Sequence, residues 1–237
     1  MLRRSVIVCT FTLLCVRASA QSVISAHAGL IHFFEGAVSI DGRAVPAING
    51  RFAEIPEGSL LNTNEGRAEI LLGPETILWL GQNGAIRMQR NSLADARVEL
   101  LEGSAVVQST ELPPDNAVTL IQKDSQVRLS AHGLYRIDAG ASQLTVRSGH
   151  AEVTNGRESS VISAPGRLAF SSGLTTPLRK SEPDGLEQWV LERQRAIAAA
   201  NLNSARMEDS AKPSKKRQYR RGRAYPAGMT PVPRRTW

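Results

Sequence analysis

The residue types able to do chemistry are few and scattered. Four histidines, His27, His32, His132 and His150, could ligate a metal or move a proton, but they do not group into a metal-ligand set. They are expected to be exposed polar residues, His132 in a turn. Glu35, Glu54, Glu57, Glu65, Glu69 and Glu75 are frequent enough to suggest the paired carboxylates of a glycosidase. They fall at loops and on polar strand faces, so the expectation for them is a solvated acidic surface. No G-x-S-x-G elbow presents a nucleophile, and Gly103-Ser104 lacks the context one would need. Cysteine occurs only at Cys9 and Cys15. The reading is of a chain with no catalytic residue, no metal site and no cofactor.

Two further clusters could bind rather than react. Lys215, Lys216, Arg217, Tyr219, Arg220, Arg221 and Arg223 combine guanidinium and ammonium groups with aromatic rings. In a cytoplasmic protein such a run reads as a nucleic-acid arm. Leu186, Trp189, Val190, Arg193 and Ile197 recur at three- and four-residue steps, the stripe of an amphipathic helix. That stripe either packs back on the rest of the protein or docks a partner helix.

The N-terminus decides where these groups act. Arg3 and Arg4 precede a mostly apolar stretch from Ser5 to Val16, followed by Ala18-Ser19-Ala20. This is the layout of a secretory signal, with Gln21 the expected first mature residue and retention as an anchor the alternative. The apolar run is short for a membrane span, so none is expected in the mature chain. Both cysteines lie within the signal, leaving the mature chain without a disulfide or thiolate site. Stability must then come from core burial, for which the 217 residues from Gln21 onward (237 less the 20 of the signal) are enough. The formal charge of +7 divides unevenly: residues 21–210 carry a net −5 and residues 211–237 a net +9. The basic character belongs to a tail. Outside the cytoplasm its polyanion would be a lipid phosphate, an anionic polysaccharide or extracellular DNA, and intracellular nucleic acid is not expected as a partner.

The elements that position these groups are strands. From Leu30 to Phe170, short alternating or apolar runs are cut by turn dipeptides. The runs are 68–72, 76–80, 85–88, 97–101, 105–108, 117–121, 126–130, 134–137, 143–147 and 151–154. Asp41-Gly42 and Asn155-Gly156 predict type I′ hairpin turns. Three stretches echo one another, each an alternating strand, a glycine and a second alternating strand, at Gly36, Gly103 and Gly149. Glycine there predicts a sharp bend or bulge. Trp79 follows Ile77 on one face of its strand, with Leu78 and Leu80 on the other. With both faces apolar, Trp79 belongs either to a core or to a hydrophobic ligand surface, and the core is the expectation.

The fold expected is mainly β: a two-layer sandwich of jelly-roll type or a short β-roll, then one amphipathic helix and a disordered basic tail. The boundaries read as a signal at 1–20, the β domain at 21–174, a linker at 175–183, the helix at 184–207 and the tail at 208–237. Asp184-x-x-Glu187 marks the helix start, and its end is expected between Asn203 and Met207.

The order of these motifs resembles the FecR-domain family. The resemblance runs from about Gly29 to Leu174, through Glu35-Gly36-x-Val38, Ile55-Pro56-Glu57-Gly58-Ser59-Leu60-Leu61-x-Thr63, Gly66-Arg67-Ala68-Glu69-Ile70-Leu71-Leu72, Thr76-Ile77-Leu78-Trp79-Leu80-Gly81 and Val98-Glu99-Leu100-Leu101-Glu102-Gly103-Ser104-Ala105. It closes with Gly133-Leu134-Tyr135-Arg136-Ile137-Asp138 and Leu144-x-Val146-x-x-Gly149-x-Ala151-x-Val153. The resemblance implies a β-rich domain acting outside the cytoplasm. In the iron-transport regulators of that family, such a domain receives a signal from an outer-membrane receptor and a cytoplasmic segment controls a sigma factor. Here no second hydrophobic span appears.

Three functions are therefore carried forward. The first is a non-catalytic module of the cell envelope, periplasmic or extracellular, that engages a partner protein or an envelope glycan. The second is a membrane-anchored periplasmic sensor in a signalling system. The third is an envelope glycan hydrolase, which would need two carboxylates facing one cleft.

Overall fold

The computed structural model describes residues 27–46, 52–178 and 182–211. The chain divides into two compact units, one ending at Lys180 and one beginning at Ser181. The signal at 1–20 and the tail cluster at 215–223 lie outside the described residues.

The first unit is built from strands throughout. In order they are β1 (Leu30–Glu35), β2 (Ser39–Ile40), β3 (Arg43–Ala44), β4 (Ala53–Glu54), β5 (Leu60–Asn62) and β6 (Arg67–Gly73). Next come β7 (Thr76–Leu80), β8 (Ala85–Ser92), β9 (Asp95–Glu102), β10 (Ser104–Ser109), β11 (Val118–Gln122) and β12 (Ser125–Leu129). The last are β13 (Gly133–Asp138), β14 (Gln143–Ser148), β15 (His150–Asn155), β16 (Glu158–Ser163), β17 (Gly166–Ala169) and β18 (Thr175–Pro177). Each of the ten expected runs coincides with an observed strand.

These strands form two nine-stranded sheets packed as a sandwich. The first sheet runs β4-β1-β6-β7-β10-β13-β14-β17-β18 and the second β3-β2-β5-β8-β9-β11-β12-β15-β16. Apart from β4 and β3, which lie outside β1 and β2 at one edge, both grow in one direction along the sequence. That is the order of a roll wound from two sheets, without the long return of a Greek key. Between the sheets sit the inward residues of every rung, including Ile70, Leu78, Leu80, Met88, Val98, Val107, Val127, Ile137 and Val146, all at most 1% exposed. Each such side chain contributes about 1.5–3 kcal/mol by leaving water.

Winding between sheets requires sharp corners, and glycine makes them. Gly36, Gly103 and Gly149 each stand where the chain leaves one sheet for the other, at φ 69°, 76° and 77°. Each faces a second glycine on a neighbouring crossing. A Cβ on Gly36 would lie 2.9 Å from Gly66 Cα, one on Gly103 2.8 Å from Gly84 Cα, and one on Gly149 3.0 Å from Gly133 Cα. The echo seen in the sequence is thus a repeated corner in which two backbones touch. One parallel pair, β9 with β11, breaks the antiparallel pattern. It arises because a single strand, β10, is laid in the opposite sheet between them.

One local expectation holds and two change. Asp41 and Gly42 form the expected type I′ turn, both with positive φ. In the second hairpin Asn155 pairs with Glu158, so Gly156-Arg157 is the turn, and of the two only Gly156 has positive φ. The start of the expected linker is strand β18, pairing Thr175 with Leu168 and Pro177 with Gly166. The threonines favour extended backbone, and Pro177 is tolerated because β18 is an edge.

The second unit contains one described element, the helix α1 (Gly185–Ala211). Asp184 caps it: the Glu187 main-chain N–H donates to Asp184 Oδ1 at 3.0 Å. The helix passes the expected end because Ser204 to Ala211 contains no glycine or proline, the first breaker being Pro213. Its least exposed positions include Leu186, Trp189, Val190, Arg193 and Ile197, the stripe read from the sequence. No helix among the described residues is long and apolar enough to cross a membrane.

Candidate functional site

The first sheet also buries several residues on its other face, opposite the sandwich interior. On β7, Leu78 and Leu80 point inward, so Trp79 points outward, yet it is 0% exposed. The core expectation for Trp79 holds as to burial. It is the outer face of the sheet, outside the cluster between the sheets, that buries it. Opposite Trp79 on β6 is Glu69, and opposite it on β10 is Val106. Glu69 is also 0% exposed, which corrects its reading as part of a solvated acidic surface.

Both oxygens of that carboxylate are engaged. Trp79 Nε1 donates to Glu69 Oε2 at 2.9 Å. His32 Nδ1 donates to Glu69 Oε1 at 2.5 Å. A bulge makes the second contact possible. The register of β1 on β6 shifts between Ile31 and Phe33, so His32 is the extra residue and is re-aimed over the sheet. The His32 side chain remains 36% exposed while that of Glu69 is 0%. The His32 ring also lies 5.2 Å from the Phe52 ring, tilted at 49°. Burying a carboxyl is costly unless its oxygens are hydrogen-bonded, and here both are. His27 is likewise engaged, its Nδ1 donating to Glu54 Oε1 at 2.8 Å, with Asn91 Nδ2 3.3 Å from the same oxygen.

Farther along the same face is the other buried carboxylate, Asp138 on β13. Ser104 Oγ on β10 donates to its Oδ1 at 2.5 Å, and Arg136 donates through Nε at 3.0 Å and Nη2 at 3.0 Å. Gln143 Nε2 on β14 approaches Oδ2 at 3.4 Å. Three adjacent strands are stitched by one carboxylate. Ser104, considered above as a nucleophile, is a donor in this network. Elsewhere Tyr135 reaches from the interior to a corner, its hydroxyl donating to His150 O at 2.8 Å. Burial pushes its phenol above its ordinary pKa. Two hairpins hold carboxylates below the usual range: Asp41, chiefly by the Leu60 main-chain N–H, and Asp95, chiefly by the Arg97 guanidinium.

Clefts open among the described residues at both ends of the first unit. One, about 520 Å³, lies at the N-terminal end and is lined by Ile40, Asp41, Arg43, Val45, Glu54 and Pro56 among others. The other, about 340 Å³, lies at the C-terminal end, with Val153, Leu168 and Phe170 as its apolar lining and Asn155, Glu158 and Ser160 among its polar groups. Among the described residues no three His, Cys, Asp or Glu side chains cluster as a metal site.

The His32–Glu69–Trp79 group was not legible beforehand. Its members are 37 and 10 residues apart, and Glu69 alternates correctly with its apolar neighbours, as a solvent-facing residue would. The one signal available was Trp79 itself, on a strand whose two faces are both apolar.

No family model matches the chain, and no curated protein does. Among solved structures it is similar to two crystal structures, at 2.50 Å and 1.65 Å resolution, of a protein from Parabacteroides distasonis ATCC 8503 provisionally described as an anti-sigma factor. Identity is 14% in both cases and the TM-scores are 0.42 and 0.41. The match covers 52% of this chain and 60% of that one, so it spans less than two thirds of the similar protein. At that identity and superposition the likeness does not extend to function.

Proposed function

We propose that this protein is a non-catalytic binding module of the cell envelope, related to the FecR-domain family, whose β sandwich engages a partner protein or an envelope glycan. The observation that carries this reading is the use made of the two carboxylates buried among the described residues. Glu69 is held by His32 and Trp79, and Asp138 by Ser104 and Arg136. Both join strands across the outer face of the first sheet. A general acid or base needs a carboxyl free to exchange its proton with substrate, and these are committed to fixing the sheet. The export signal supplies the compartment, and the basic tail supplies attraction to envelope polyanions that weakens as salt rises.

The test has two parts. Mass spectrometry of the exported protein should give Gln21 as the first residue, with the chain in the periplasm or medium. Envelope extract passed over the immobilised chain, with and without residues 211–237, should yield a saturable partner or glycan retained by the β domain in both forms. Intact polypeptide confined to the cytosol, or turnover of a glycan by the purified chain, would sink the proposal.

A further inference from the structure

A sheet edge presents unpaired N–H and C=O groups, and the sandwich has four such edges. Three are short. β3 and β4 have two residues each, and β18 has three and ends in Pro177. The fourth, β16, has six residues, Glu-Ser-Ser-Val-Ile-Ser, and five of the six are exposed. Nothing in it blocks pairing: there is no lysine, proline or bulge, and Val161 is 66% exposed.

Its hydrogen-bonding pattern is fixed by the hairpin behind it. Asn155 and Glu158 close a two-residue turn and so form a hydrogen-bonded pair. Counting by twos, Ser160 and Ile162 bond to Val153 and Ala151. The same parity continues beyond the strand, where the Ala164 N–H donates to Gly149 O at 2.9 Å. The N–H and C=O groups of Ser159, Val161 and Ser163 therefore point away from β15, and they have no partner among the described residues.

We propose that β16 is the seam of a symmetric dimer, pairing antiparallel with β16 of a second copy about a two-fold axis through Val161. In that register Val161 meets Val161 of the second copy, and Ser159 meets Ser163 in both directions. The outward groups then form about six main-chain hydrogen bonds. The strand suits itself. The central pair is β-branched and lies on the outer face of the second sheet, and the flanking pairs are serines able to exchange hydroxyl hydrogen bonds. Glu158, the strand's one charged residue, lies six positions from its symmetry mate, roughly 20 Å along the strand, so like charges do not oppose. The other three edges are too short to offer an equivalent strand, which favours a closed pair over an open chain of copies. The result is one continuous sheet across two molecules. This inference rests on the edge geometry and stands apart from the envelope assignment.

The test uses exported protein in which Cys9 and Cys15 are Ser, so that an introduced cysteine is the one thiol. A hydrogen-bonded antiparallel pair sets Cα atoms about 5.5 Å apart, within disulfide reach. Val161→Cys should therefore cross-link to a covalent dimer under mild oxidant. Arg128→Cys, exposed on the same sheet face two strands in, should not. By sedimentation, the cysteine-free protein should dimerise reversibly, and Val161→Lys should raise the dissociation constant at least ~10-fold by opposing two ammonium groups across the seam, with circular dichroism unchanged. A cysteine-free protein that stays monomeric at ~100 µM overturns the proposal. So does a Val161→Lys protein that dimerises as before, or equal cross-linking at position 128.

Discussion

Both faces of the first sheet bury residues, the inner one along its whole width and the outer one at a few positions, and the two are differently built. Toward the second sheet, Ile70, Leu78, Leu80 and Val107 pack with no polar group among them. Away from it, Glu69, Trp79 and Asp138 are buried at 0–8% exposure and held in two hydrogen-bonded groups. At those positions the inner face gains stability from area and tolerates well-packed hydrophobes of similar volume. The outer face holds only if each polar group meets its own partner, so its residues specify one arrangement. Equal burial therefore does not mean equal tolerance to substitution.

The largest test of that difference is Trp79→Ala. It removes a fully buried ring and leaves Glu69 with one donor fewer, so thermal or denaturant unfolding should show a loss of about 3–5 kcal/mol. Leu78→Ala, next to it but facing inward, should cost about 2–5 kcal/mol by cavity formation alone. Adding Glu69→Leu to each should separate the faces: the pair with Trp79 should be strongly non-additive and the pair with Leu78 nearly additive. Wild-type-like unfolding of Trp79→Ala would refute the outer-face account.

Glu69→Leu alone should cost about 1–3 kcal/mol, because Trp79 Nε1 is left buried without its acceptor. Glu69→Gln keeps an oxygen for the indole and should recover part of that loss. If leucine proves as stable as glutamine, the hydrogen bonds on the outer face do not matter.

The inner side has polar groups as well, the Thr76–Ser109 hydroxyl pair and Tyr135. The folded pKa of Tyr135 is raised, so the stability it adds is complete below the unfolded value of about 10 and is lost as pH rises through the folded value. Tyr135→Phe should cost about 1 kcal/mol at neutral pH, since Ser130 Oγ still donates to His150 O, and should flatten the alkaline decline. An alkaline limb unchanged in the phenylalanine variant would remove Tyr135 as its source.

The smallest effect is expected at exposed Asp41. Its folded pKa is depressed, so its contribution is present above the unfolded value of about 3.9 and disappears as pH falls through the folded one. Asp41→Asn keeps a side chain that tolerates the turn's positive φ and should leave neutral stability nearly unchanged. Only the acid limb of a stability–pH curve should shift.

Legibility followed the range of the interaction. Ten strand runs, the Asp41-Gly42 turn and the Asp184 cap were readable because each depends on residues a few positions apart. β16 and β18 were missed because Glu-Ser-Ser-Val-Ile-Ser and Thr-Thr-Pro lack the apolar alternation of a half-buried strand. They are edge strands, and water takes the place of one neighbour. The hydrogen-bonded pairings His27–Glu54 and His32–Glu69 were missed for the opposite reason: each joins β1 or its approach to a strand far along the chain.

By itself the sequence determined the class of this protein. Alternating hydrophobicity with glycine at Gly36, Gly103 and Gly149 commits the chain to two-layer β structure, since these are local constraints on backbone angle and side-chain direction. Only the tertiary structure decided which face of β7 Trp79 occupies, that Glu69 leaves water, and that β16 is an open edge. Those facts depend on which distant strands become neighbours, and neighbourhood in a sheet is set by how the whole roll is wound.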